Sequence, residues 1–193
     1  MPIIFNVCNN AKAPEGKPSL ITWDEVTTMF HEFGHALHGI LSNCQYYRLS
    51  GTSVARDFVE MPSQFNESFA AIPEIFDHYA RHYETGEPMP ADLKERMLKS
   101  INFQPCYALG ENLAATCVDL AWHMLASKDI PTADKAMDFE TESLRKVGLL
   151  NPFIPIPPRY MTSYFNHVWG GGYAAGYYSY LWTEVLAVNV AIA

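Results

Sequence analysis

Basic residues are scarce in this chain. Lysine and arginine number 13 against 21 aspartates and glutamates, a formal net charge of -8. A surface of that sign repels phosphate backbones and anionic headgroups, so nucleic acid and membrane are excluded as principal partners. Long apolar runs are missing too. The longest, VLAVNVAIA near the C-terminus, falls far short of the roughly 20 residues needed to cross a bilayer. The opening MPIIFNVCNN has no basic cluster and no extended apolar core, so it does not spell a secretory signal. No two cysteines have CxxC spacing. Cys8, Cys44, Cys106 and Cys117 are scattered, which speaks for free thiols in a reducing compartment. No GxSxG occurs and no cysteine stands in a nucleophile context, which sets aside serine and cysteine hydrolases. The expected location is cytoplasmic.

What is present is an ordinary globular balance: 193 residues, 49% hydrophobic and 18% charged. That length suits one domain. The chain begins on a strand-like run and stops inside an apolar helical pattern without a cap. The expectation is a single partial domain over residues 1–193, truncated at both ends.

The pattern is mostly helical. Residues 2–7, PIIFNV, predict a short strand, and 9–20 a loop. Thr22 followed by Glu25 spells a capping box. It predicts a helix to about Leu41 with Val26, Phe30, Phe33, Leu37, Ile40 and Leu41 on its apolar positions. Residues 54–72 read as partly helical, with Pro62 at a start or kink. Further helices are predicted at 73–83, 91–102, 105–127 and 132–147. NPFIPIPP at 151–158 predicts an extended crossing, and the last helix is expected from about Tyr173. No clear domain boundary is visible.

The first predicted helix carries HEFGH, from His31 to His35. Residues four apart share a helix face, so both imidazoles can aim at one ion. Glu32 falls beside that ion, where a base can take a proton from an attacking water. His38 reads as a packed or supporting histidine. A catalytic zinc takes three protein ligands and keeps a fourth position open. Asp57, Glu60 and Glu67 are all candidates for the third, and spacing does not choose among them. A supporting carboxylate for a ligand histidine is also expected, with Asp57 and Glu67 as candidates.

A second cluster is NHVWGGGYAAGYYSYLW at 166–182. Tyr173, Tyr177 and Tyr180 have one-face helical spacing. Such a stripe reads either as core or as a row of phenol donors for a developing oxyanion. Arg159, in PPRY, reads either as a structural arginine or as a partner for a carboxylate.

HEFGHALHG followed by SGTSVARDFVEMPSQFNE, with matching blocks from IIFNVCN to YYSYLWTEVLA, resembles the thimet oligopeptidase family of zinc metallopeptidases. The resemblance implies a mainly α, zincin-like catalytic core. It implies one zinc ion held by His31, His35 and Glu60, with Glu32 as base. It also implies that His167, Tyr173 and Tyr180 act on the scissile carbonyl, with Tyr177 supporting and the glycine-rich loop mobile. The HVWGGGY spelling is similar to the bacterial branch. Short peptides are the implied substrates, since the family's site lies in a deep channel. Release of C-terminal dipeptides is the leading activity and endo-acting oligopeptidase cleavage the alternative. Relatives are much longer and, by expectation, monomeric. A zinc-binding but catalytically incomplete piece is the reading from another class.

Overall fold

The computed structural model describes residues 3–150, 153 and 155–192. The α-helices are α1 (Trp23–Ile40), α2 (Arg56–Val59), α3 (Met61–Glu67), α4 (Pro73–Tyr79), α5 (Ala91–Ile101), α6 (Pro105–His123), α7 (Ala136–Lys146), α8 (Asn166–Trp169) and α9 (Ser179–Ile192). Two compact units result: Met1–Ile101 with Trp182–Ala193, and Asn102–Leu181. No described helix is long and apolar enough to cross a membrane.

The mainly α expectation holds. The expected N-terminal strand does not: residues 3–7 have no regular secondary structure, and the described residues contain only two isolated bridges, Arg81 with Pro88 and Leu150 with Pro155. A strand exists only by exchanging backbone hydrogen bonds with a neighbour, and β-rich composition supplies no neighbour. Pro2 lies outside the described residues, as do Asn151, Pro152 and Ile154 of the proline-rich crossing.

In the first unit, α1 starts where the capping box places it. Thr22 Oγ1 accepts the Glu25 N–H at 3.2 Å, and Glu25 Oε2 accepts the Thr22 N–H at 2.7 Å. The other Glu25 oxygen accepts the Ala11 N–H at 2.9 Å and ties the preceding loop to the helix start. The bonds from Ala11 and Thr22 hold this carboxyl below its usual range. The predicted apolar face is only partly covered, because Phe33, Ile40 and Leu41 are exposed. The buried residues of α1 are instead the small ones, Gly34 and Ala36. Phe76 of α4 is the largest fully buried side chain among the described residues of this unit. Its ring centroid lies 6.3 Å from Trp23 and 5.4 Å from Tyr79.

In the second unit, Ala114 and Val118 of α6 pack with Leu144 of α7. Ala115 of α6 packs with Phe165, Val168, Tyr173 and Tyr177. Polar bonds close this core. The Thr162 N–H donates to buried Glu140 at 2.6 Å, and Trp122 Nε1 donates to Thr162 Oγ1 at 2.9 Å. The last helix starts at Ser179 rather than near Tyr173. Gly172 at φ +81° and Ala175 at φ +54° lie in the left-handed region, which a right-handed helix cannot contain.

Candidate metal centre

His31 and His35 sit one turn apart on α1, and Glu60 closes α2 just before α3. How close Glu60 comes depends on a missing side chain. A Cβ on Gly34, inside HEFGH, would lie 2.6 Å from Ser63 Cα and 2.8 Å from the Pro62 carbonyl oxygen. Only glycine lets α3 approach α1 this closely. Pro62 stands in the first turn of α3, where its missing N–H costs no helical bond. Asn66 Nδ2 then donates to the Phe30 carbonyl at 2.6 Å and stitches the two helices together.

The three ligand candidates converge. His31 Nε2 and His35 Nε2 each lie 3.1 Å from Glu60 Oε2. All the ligand atoms fall within 4.8 Å of one another. Tetrahedral zinc with arms of about 2.0–2.1 Å places its donors roughly 3.3 Å apart, so the donor set fits that ion. Glu60 is 3% exposed, and Ser63 Oγ donates to its Oε2 at 3.1 Å. A carboxylate removed from water needs such partners or a cation.

Glu67 resolves the supporting carboxylate: its Oε1 lies 2.6 Å from His31 Nδ1. That bond turns Nε2 inward and raises the basicity of the ring. Burial disfavours the charged imidazole of His31, but Glu60 and Glu67 together outweigh it and push its pKa up to about 9. Without metal, His31 is therefore the cation between two carboxylates. His35 has no counterpart, since its buried Nδ1 has no hydrogen-bond partner among the described residues. Asp57 lies half-buried on α2. His38 is outside the ligand group. Its ring stands edge-on to Phe58 at 6.3 Å, and burial followed by the charge of His35 lowers its pKa. Glu32, also on α1, is half-buried.

The second unit gathers the aromatic candidates with only Tyr180 on the last helix, which starts at Ser179. The rings of Tyr173 and Tyr180 stack at 5.1 Å, and Tyr177 lies 5.1 Å from Tyr180. The His167 ring centroid is 6.2, 5.5 and 6.0 Å from Tyr173, Tyr177 and Tyr180. Tyr160, which sequence reasoning missed, sits 4.7 Å from His167. The glycine-rich segment folds back tightly. The Tyr173 N–H donates to the His167 carbonyl at 2.9 Å, and a Cβ on Gly171 would lie 2.9 Å from that same oxygen. Arg159 is exposed, and its backbone N–H donates to the Glu111 carbonyl at 3.0 Å.

Gly34, Ser63, Asn66 and Asp119 were also missed. Gly34 is visible in HEFGH but reads there as filler. Asp119 is the only acidic residue between Glu111 and Asp129 and stands between Val118 and Leu120, a signal that a buried carboxylate has partners.

Comparison with known proteins gives the family. The model of Peptidase family M3 matches residues 1–192. The chain is 50% identical to dipeptidyl carboxypeptidase of Salmonella typhimurium over 186 residues, covering 96% of this chain and 27% of that protein. It is 49% identical to dipeptidyl carboxypeptidase of Escherichia coli K12, over 96% of this chain and 27% of that protein. It is 40% identical to Escherichia coli oligopeptidase A, over 97% of this chain and 27% of that protein. The chain thus spans about a quarter of the length of these curated relatives. Two helix-borne histidines, the buried glutamate beside them and a match over nearly every residue agree: the chain belongs to peptidase family M3.

Proposed function

We propose that these residues are the metal-binding core of a zinc metallopeptidase that acts on short peptides and releases C-terminal dipeptides. The observation that carries the reading is the convergence of His31, His35 and Glu60, with Glu67 behind His31 and Glu32 one residue along α1. The 50% identity to a dipeptidyl carboxypeptidase favours the exo-acting form over the oligopeptidase A type.

Zinc, when bound by the three ligands, supplies a Lewis acid and lowers the pKa of water toward neutrality. Glu32 takes the proton of the attacking water and returns it to the leaving amine. Glu67 holds the His31 ring in the tautomer that presents Nε2. The phenols of Tyr173 and Tyr180, with His167, are assigned to the carbonyl oxygen as its negative charge develops. Donor chemistry and the family resemblance support that assignment, and Tyr177 supports the cluster. Arg159 is assigned to the substrate carboxylate, and its exposure supports this.

The test uses the longest reading frame that carries these residues. A peptide with a free C-terminus and the same peptide C-terminally amidated are incubated with zinc-loaded protein. Dipeptide release from the free form alone is expected. Equal cleavage of the amidated form would favour the oligopeptidase reading, and no cleavage of either would overturn both.

A further inference from the structure

Asp119 on α6 is 0% exposed, and both its oxygens face one turn of the chain. Oδ1 accepts the Ala175 N–H at 2.9 Å, and Oδ2 accepts the Tyr177 N–H at 2.9 Å. Oδ1 also lies 2.8 Å from His123 Nδ1, one turn along α6. Ala175 has φ +54°, a region that residues with a Cβ seldom occupy. Nothing in the local sequence AAGYY favours that conformation at residue 175 over 176, where a glycine stands. The two charged acceptors provide the missing preference. In this turn the Ala175 and Tyr177 amides both reach the one carboxylate.

We infer that Asp119 is a positioning residue for the tyrosine cluster: it clamps the Tyr173–Tyr177 turn and so sets the directions of the phenols of Tyr173, Tyr177 and Tyr180. It does not touch substrate. Its effect on turnover rests on the oxyanion role assigned to these tyrosines, while its hold on the turn does not. An asparagine has nearly the same shape, but one of its two positions is a donor. At that position an amide N–H would meet another N–H. Asp119→Asn therefore tests charge and acceptor count with little change in volume.

The first measurement needs no variant. Amide hydrogen exchange on the longest reading frame that carries these residues should show Ala175 and Tyr177 exchanging as slowly as the buried amides of α6, although both stand in a turn. Fast exchange at either amide overturns the clamp. Asp119→Asn should then speed exchange across 173–178 at least tenfold while α1 is unchanged, and Ala175→Gly in that background should restore part of the protection. In the complete enzyme, Asp119→Asn should lower kcat 10- to 100-fold, with KM within about twofold and zinc content unchanged. On top of Tyr173→Phe and Tyr180→Phe it should cost less than twofold, because those phenols are what it positions. A full-sized loss in that background would overturn the positioning role. If exchange rises but the two tyrosine substitutions leave kcat intact, the oxyanion assignment fails and the clamp stands.

Discussion

The metal-ligand group and the tyrosine cluster are both compact, and they are built by opposite means. His31 and His35 are placed by helical periodicity, which needs no distant residue once α1 has formed. Only Glu60 must be brought in, and a glycine and an asparagine do it. Tyr173 and Tyr177 belong to no helix. Their placement depends on a left-handed alanine and on a carboxylate more than fifty residues earlier in the chain. A site written on a helix is local in sequence. A site written on a turn is only as rigid as whatever grips the turn.

The largest expected effect lies on the helix side. Glu32→Gln should lower kcat about a thousandfold while zinc stays at one ion per chain. A peptide assay with elemental analysis checks both, and near-normal turnover would remove Glu32 as the base. On the turn side, Tyr180→Phe should cost on the order of a hundredfold in kcat, the scale of losing one oxyanion donor. A change in KM alone would place this phenol in ground-state binding instead. Glu67→Gln should weaken zinc binding 10- to 100-fold by loosening His31, as a competition titration with a chromogenic chelator would show. If affinity is unchanged, His31 is oriented by packing alone.

Gly34→Ala sharpens the contrast by sign. In an isolated helix this change stabilises by up to about 1 kcal/mol. Here the methyl would meet backbone at 2.6 Å, so a net loss of about 1–3 kcal/mol and impaired zinc loading are expected. Thermal melts with and without zinc decide the sign. The last effect is that of pH on the metal-free chain. Because the folded-state pKa of His31 is raised from 6.5 to about 9, its stabilising contribution is full below pH 6.5. It is lost as pH rises through 9. Melts of EDTA-treated protein from pH 6 to 10 should fall over that window, and His31→Gln should flatten the fall.

The two regions also differ in how far they could be read from the sequence. The capping box, α1, the proline at the head of α3 and the histidine pair follow from short-range chemistry and stand where that chemistry puts them. The choice of Glu67 over Asp57 as the partner of His31 did not, because both lie near Glu60 and only packing separates them. The helix expected from Tyr173 failed through a correct observation. The three tyrosines do come together, but Tyr173 and Tyr177 lie in and beside a turn and only Tyr180 is on α9. The N-terminal strand failed because strand propensity is a demand for a partner that the described residues do not meet.

Gly34 has a consequence for anyone who would transplant this centre. Moving His-Glu-x-x-His onto an arbitrary helix carries over the two candidate ligands and the proposed base and nothing more. The candidate third ligand comes with a helix whose backbone fills the gap where a side chain is absent, and that helix is held by an asparagine reaching across to a carbonyl. The smallest portable unit is therefore a helix pair, with its glycine counted among the functional residues although it carries no functional group.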